Sequence, residues 1–132
     1  MAFSESVIRC LLVVAVCIYD PIVLSQITPN GMYCRKFGRL GSSKISFDFH
    51  GGLFDLDVKI LLRSGSAKNI GYTMNGEDQI KIDISNPNLK TLFDRFDPPV
   101  SLESLQYLGY QNDELATFVP QIGLVIFKKS NC

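Results

Sequence analysis

The chain has 132 residues, a length that fits one domain, and 46% of them are hydrophobic, which is enough to form a core. Thirteen basic and thirteen acidic residues cancel, and no run of Lys or Arg exceeds two. This balance argues against nucleic-acid binding and against an electrostatic membrane anchor. Nine Phe, five Tyr and many β-branched residues favour strands over helices.

The first 25 residues have the layout of a secretory signal peptide. An unbroken apolar run over 10–19 follows Arg9, and Asp20-Pro21 ends it shortly before Val23-Leu24-Ser25, where cleavage is expected. The alternative, a transmembrane helix, needs about 20 apolar residues, and the run is too short for that. We therefore expect a signal peptide over 1–25 and a single secreted, extracellular domain over 26–132, with no membrane span in the mature chain.

Two of the four cysteines, Cys10 and Cys17, would leave with the signal peptide, and Cys34 and Cys132 would remain. In an oxidising compartment two remaining thiols are a natural pair. Two free thiols, or an intermolecular bridge through Cys132, are the alternatives. There is no C-x-x-C motif, so a redox or zinc role is not expected.

Alternation of apolar and polar residues dominates the rest of the chain. Residues 44–50 alternate and end at Gly51-Gly52, a predicted turn. Residues 54–63 alternate over almost ten positions, which predicts one half-buried strand with Lys59 and Arg63 on its polar face. Further strands are expected at 80–84, 92–96, 104–108, 114–119 and 123–128, with a helical turn as the alternative at 102–108. Short strands separated by Gly, Pro and Asn turns predict an all-β, antiparallel β-sandwich.

The segment 80–118 resembles the C-terminal half of galectins, and 31–40 and 44–49 resemble their first two strands. The matching positions are Leu89, Phe93, Arg95, Pro98-Pro99, Ser101, Leu105, Leu108 and Asn112-Asp113. The resemblance implies a jelly-roll sandwich that binds β-galactosides on a concave sheet, without metal, cofactor or catalysis. It also implies that the chain ends lie close together, which would suit a bridge between Cys34 and Cys132.

The sugar-binding motif of galectins is only partly present. Its H-x-N-P-R segment corresponds to 59–63, where Lys59 replaces the His, Leu61 replaces the Asn and Arg63 alone is kept. Its W-G-x-E segment corresponds to 75–78, which has Asn75 and Glu77 but no Trp. A sugar site without its stacking ring and most hydrogen-bond partners should bind ordinary galactosides poorly. The carbohydrate-binding residues that the resemblance implies are Lys59, Arg63, Asn75 and Glu77.

Catalysis is not expected, because no spacing gives the single histidine, His50, a nucleophile and an orienting carboxylate. Asp55 and Asp57 share a strand face, which more often means a solvated surface than a pair of catalytic acids. Two functions remain. The first is a secreted galectin-like module with an altered sugar site and a glycan or glycoprotein partner. The second is a protein-binding or structural sandwich that has lost sugar binding.

Overall fold

The computed structural model describes residues 28–132, so the predicted signal peptide lies outside the described residues. The described chain contains one α-helix, α1 (Pro87–Phe96), and three short 3-10 turns at Arg39–Gly41, Glu103–Leu105 and Lys129–Asn131. Its eight strands are β1 (Gly31–Phe37), β2 (Ser43–His50), β3 (Leu53–Ile60), β4 (Arg63–Met74), β5 (Gln79–Ile82), β6 (Tyr107–Gln111), β7 (Glu114–Val119) and β8 (Gly123–Lys128).

The strands form a closed antiparallel barrel in which each strand pairs with the next along the chain. The barrel closes where Cys34 of β1 lies opposite Lys128 of β8. The all-β, antiparallel prediction is confirmed, but the predicted sandwich with its jelly-roll topology is wrong. Alternation of apolar and polar residues gives a strand one buried and one exposed face in a sandwich and in a barrel alike. Pairing between the first and last strands has no signature in the local sequence.

The inward-facing residues fill the middle of the barrel. An aromatic cluster forms its centre, where the ring centroids of Phe47 and Phe127 are 4.9 Å apart and those of Phe49 and Phe54 are 5.3 Å apart. These four side chains are no more than 1% exposed. An eight-stranded barrel is just wide enough to be packed with side chains, so cavities are expected at its ends rather than at its centre.

The long strand predicted over 54–63 is divided by a hairpin turn at Leu61-Leu62. Ile60 pairs with Arg63, so Arg63 begins β4 instead of ending β3. Residues 64–66, although they contain Gly65 between two serines, are consequently part of β4. Tight hairpins usually contain Gly, Asn or Asp, and Leu-Leu gives no such signal in the sequence.

The prediction of a strand at 92–96 is also wrong, because these residues form the second half of α1. The Asn86 side chain accepts hydrogen bonds from the backbone N–H groups of Asn88 and Leu89, and Pro87 occupies the first turn. The buried residues of α1 recur at helical intervals of three and four, and they span more of the chain than the predicted strand. They are Leu89, Leu92, Phe93 and Phe96.

Helix α1 occupies a part of the barrel wall where strand pairing is incomplete. β4 pairs with β5 only over 72–74, and α1 contacts the earlier part of β4 instead. There Leu92 and Phe96 lie against Gly65, and a Cβ atom at Gly65 would collide with the Phe96 ring. The absence of a side chain at this position therefore lets the helix close the gap.

A disulfide connects the two ends of the described chain. The Sγ atoms of Cys34 and Cys132 are 2.11 Å apart and their Cα atoms are 5.2 Å apart. This confirms the predicted pair over free thiols or an intermolecular bridge. Because Cys34 lies on β1 and Cys132 follows β8, the bridge lies beside the seam where the barrel closes.

Antiparallel strand order places alternate hairpins at opposite ends of the barrel. The β2–β3, β4–β5 and β6–β7 turns lie at one end, which we call the cup end, together with Thr28 and Lys129. The β1–β2, β3–β4 and β7–β8 turns lie at the other, which we call the leucine end after its exposed Leu40, Leu61 and Leu62. Within 28–132, no helix is long and apolar enough to cross a membrane.

Candidate functional site

A cavity of about 990 Å³ opens to solvent at the cup end, and we call it the cup. Its wall combines the side chains of two inward-facing tyrosines, Tyr72 of β4 and Tyr110 of β6, with polar residues of the surrounding turns. The lining residues are Thr28, Pro29, Asn30, Gly51, Gly52, Tyr72, Glu77, Asp78, Tyr110, Gln111, Asn112, Asp113 and Lys129. This volume is at the upper end of the range that small-molecule sites occupy.

Asp113 organises one side of the cup. It lies with Asn112 in the two-residue β6–β7 turn, where both residues have positive φ, a conformation that Asn and Asp tolerate. Its Oδ1 accepts hydrogen bonds from the hydroxyl groups of Tyr33 (2.5 Å) and Tyr110 (3.1 Å). The Nζ of Lys129 lies 2.9 Å from its Oδ2. One carboxylate therefore fixes two tyrosines and a lysine at the edge of the cavity.

The tyrosines of this cluster are neutral hydrogen-bonding groups at physiological pH. Burial raises the pKa of the Tyr33 phenol well above its ordinary value, and its hydrogen bonds with Asp113 and Tyr110 act in the same direction. Burial also raises the pKa values of Tyr72 and Tyr110. Each phenol consequently keeps its proton, and Tyr72 and Tyr110 present uncharged aromatic surfaces to the cup.

Asp113 is ionised under the same conditions. Partial burial alone would raise its pKa, but the hydrogen bonds from Lys129, Tyr33 and Tyr110 outweigh that effect and hold the pKa of Asp113 below its ordinary value. Glu77 and Asp78 are exposed at the rim and form no ion pair among the described residues. The cup thus carries three carboxylates against the single ammonium group of Lys129.

Acid is expected to destabilise the protein through Asp113, because its pKa is lower in the folded chain than in the unfolded chain. The stability it contributes is complete above the pKa of an unfolded Asp and is lost as the pH falls through the lowered folded value. Thermal unfolding followed from neutral pH downward should show the midpoint falling below about pH 4. In Asp113→Asn, whose side chain tolerates the same backbone conformation, the fall should be smaller.

The control for this experiment is Asp94→Asn, which replaces an exposed carboxylate on α1 and should keep the wild-type acid dependence. Some acid sensitivity should remain in Asp113→Asn, because the hydrogen bond from the Asn69 backbone N–H and the nearby His50 lower the pKa of Asp55 as well. Identical acid profiles for wild type and Asp113→Asn would contradict the prediction.

The structure does not bring the four predicted sugar-site residues together. Glu77 lines the cup, and Asn75 lies in the same turn, where its amide donates to the Gln79 Oε1 at 2.6 Å. Lys59 and Arg63 lie at the opposite end of the barrel. Lys59 is opposite Lys44 on the outer face, and the Arg63 guanidinium is 5.1 Å from the centre of the Phe96 ring. The hairpin at Leu61-Leu62 is what removes Arg63 from the predicted polar face.

The residues weighed for catalysis lie on the outer face of β2, β3 and β4. His50 Nε2 is 3.1 Å from Asp55 Oδ1, and Lys68 Nζ is 3.8 Å from Asp55 Oδ2. Burial raises the pKa of the neighbouring Asp57, although the charge of Lys68 acts against it. The described residues contain no group of three or more His, Cys, Asp and Glu side chains placed to hold a metal ion.

Sequence reasoning did not identify most of the cup. Tyr72, Tyr110, Asp113 and Lys129 come from strands and turns far apart in the chain, and Tyr33 lies 80 residues before its partner Asp113. One local signal was available. Asn112-Asp113 between two alternating segments is a strong hairpin turn, and it places the Asp113 side chain at a barrel end.

The fold and the cup define a small eight-stranded up-and-down barrel with a packed centre and an open polar cavity at one end. No protein-family model, curated protein or solved structure matches the chain. Its function therefore has to be argued from its own residues.

Proposed function

We propose that the protein is a binding protein that holds a carbohydrate ligand in the cup. The observation that carries the proposal is the cavity of about 990 Å³, in which two tyrosines lie among carboxylate and amide side chains. The barrel supplies a rigid frame for such a site, because each strand pairs with a neighbour on both sides and the centre is packed. The signal-peptide pattern over 1–25 supports a place for this function outside the cell.

The lining suits a sugar chemically. A pyranose has patches of C–H groups that stack on aromatic rings, and hydroxyl groups that need donors and acceptors close together. Tyr72 and Tyr110 provide the aromatic surface, with phenols that stay protonated. Glu77 and Asp78 provide acceptors, and the Gln111 amide provides both a donor and an acceptor. No cofactor or catalytic group is needed for this role.

This proposal keeps the sugar binding predicted from the sequence and assigns it to a different surface. Of the four residues suggested by the resemblance to galectins, only Glu77 lines the cup. Lys59 and Arg63 are too far from it to act on the same ligand, since β4 separates the two ends of the barrel. The tyrosines take the place of the missing tryptophan as stacking surfaces.

The test is a glycan-array screen of the folded, oxidised protein, followed by titration of the best ligand into wild type and Glu77→Gln, with lactose as a reference sugar. Glu77 makes no ion pair or hydrogen bond to the described chain, so Glu77→Gln should leave folding unchanged. Loss of a charged acceptor should weaken binding about tenfold. The matched control is Glu103→Gln, an exposed glutamate outside the cup, which should bind like wild type.

A selective glycan signal that weakens in Glu77→Gln and not in Glu103→Gln would support the proposal. No signal from folded protein would contradict it and would favour the alternative, protein binding without sugar binding. The structural feature that favours this alternative is the cross-strand pair Phe118 and Leu124 on the outside of β7 and β8, which are 66% and 62% exposed.

A further inference from the structure

Three lysines lie directly beside one another on the outside of the barrel, close to the leucine end. Lys36 of β1 is opposite Lys44 of β2, and Lys44 is opposite Lys59 of β3. We call these three residues the lysine row. Like charges at directly opposed positions of a sheet repel and destabilise it. The row is therefore a feature that folding by itself disfavours.

No described carboxylate forms an ion pair with the lysine row. The ion pairs of the described chain involve His50, Lys68, Lys128 and Lys129, and none involves the row. Asp57 lies on the same outer face beside the row, and the charge of Lys44 acts on its carboxyl group, but it is not within ion-pair distance of any of the three lysines. A shallow groove of about 680 Å³ runs over the row, and Ser46, Ser64 and Ser66 also line it. Ammonium and hydroxyl groups in one groove are suitable partners for an anionic group.

Three leucines project beyond the row at the same end of the barrel, and we call them the leucine tips. Leu40 and Leu62 are fully exposed, and Leu61 is 65% exposed. Their two turns are adjacent, because the Leu61 backbone N–H donates to the Ser42 carbonyl at 3.0 Å. Together the three side chains form an exposed apolar protrusion at this end of the barrel.

The backbone at the leucine tips makes their identity more unusual. Leu40 has φ 57° and Leu61 has φ 56°, in the left-handed region where a side chain with a Cβ is strained and Gly or Asn is preferred. Leucine at these positions therefore has two costs: its side chain strains the left-handed backbone, and it exposes apolar surface to water. Both costs make sense if the tips insert into an apolar phase.

We propose that the leucine end docks on a membrane surface that contains anionic lipids. The leucine tips would enter the boundary between headgroups and acyl chains, and the lysine row, one residue pair behind the strand ends, would lie at the level of the phosphates. Arg39 and Arg63, at the bases of the same two turns, add positive charge. The favoured occupant is a bilayer rather than a sulfated polysaccharide, because a polysaccharide would use the lysines and leave the leucines in water.

The experiment is vesicle flotation with the full-length gene product as it is purified from an expressing cell, with the disulfide intact. Phosphatidylcholine vesicles containing about 30% phosphatidylserine are compared with pure phosphatidylcholine vesicles. Wild type should float with the anionic vesicles, and binding should fall when NaCl is raised from about 0.05 to 0.5 M. On the neutral vesicles binding should be at least tenfold weaker, because their zwitterionic surface has no net negative charge to attract the lysine row.

Two variants separate the contributions of the leucines and the lysines. Leu61→Gly combined with Leu62→Asn installs preferred turn residues, because only Leu61 has a positive φ, so the variant should unfold at the same or a higher temperature while losing about tenfold or more in vesicle affinity. Lys44→Gln removes the centre of the row and should lose about fivefold on anionic vesicles only. The control is Leu53→Asn, which removes an exposed leucine of β3 at the cup end and should bind vesicles like wild type.

Wild-type affinity in the stable Leu61→Gly, Leu62→Asn variant would overturn the proposal. So would retention of wild type on heparin without flotation on any vesicle, which would assign the lysine row to sulfated polysaccharides. The cup lies at the other end of the barrel, so the glycan titration should give the same result in the vesicle-binding variants as in wild type.

Discussion

Replacing Cys34 and Cys132 together by serine is expected to lower the free energy of unfolding by about 2–5 kcal/mol. The bridge joins residues 98 positions apart, so reducing it releases almost the whole described chain in the unfolded state. It also lies beside the weakest part of the barrel. β1 and β2 are paired at seven positions, whereas β1 and β8 are paired only at Cys34 and Lys128.

Urea unfolding of wild type and the double serine variant, each with and without reductant, measures this effect. The variant should unfold at a lower urea concentration than oxidised wild type, and reductant should shift wild type to the position of the variant. Reductant should leave the variant unchanged, which makes the variant its own control. Equal midpoints for oxidised wild type and the variant would show that strand pairing alone holds the barrel closed.

Phe47→Ala is expected to destabilise the protein by about 3–5 kcal/mol. Phe47 is 0% exposed on β2, and its ring lies 4.9 Å from that of Phe127 and 5.5 Å from that of Phe54. Removing it would leave a cavity at the centre of the barrel. The rings around this cavity belong to separate paired strands and cannot move inward without breaking backbone hydrogen bonds.

The matched control is Phe118→Ala, in which the same substitution is made on β7 at a side chain that is 66% exposed. It should change stability by no more than about 0.5 kcal/mol. Both variants are compared with wild type by chemical denaturation, with the disulfide intact. A loss of similar size at the two positions would contradict the assignment of Phe47 to the core and Phe118 to the surface.

The two proposed binding surfaces are compatible within one molecule. The cup opens at the end that carries Glu77, Asp78 and Asp113, and the leucine tips lie at the opposite end. A barrel docked on a bilayer by its leucine end would therefore present the cup towards the solvent. Its acidic rim would also face away from anionic headgroups, which avoids repulsion between like charges.

Local patterns in the sequence determined which residues face the core. Ile45, Phe47 and Phe49 on β2 are buried, as are Phe54 and Leu56 on β3, in agreement with the predicted alternation. The Gly51-Gly52 turn between these two strands was also predicted from its two glycines. Both have positive φ, a conformation that glycine adopts without strain. These features were readable because strand parity and turn chemistry depend on neighbours in the chain.

The pairing of the cysteines was predicted from their number and expected compartment alone. The helix and the turn at Leu61-Leu62 were not predicted. For α1 the helical spacing begins at Leu89, before the segment 92–96 that was interpreted as a strand. For Leu61-Leu62 the turn is imposed against local preference, since the pairing of β3 with β4 holds Leu61 in a left-handed conformation.

Patterns in the sequence were sufficient to predict an all-β chain with alternating strands and a cysteine pair. Tertiary structure decided that the strands close into a barrel, because closure depends on contact between the first and last strands, which no local pattern encodes. It also decided where charge accumulates. The lysine row has no signature along the chain, since Lys36, Lys44 and Lys59 become neighbours only through the registers of β1, β2 and β3. Electrostatic interactions act through space, so a chain whose charges cancel in sequence presents a basic, leucine-tipped end and an acidic cup.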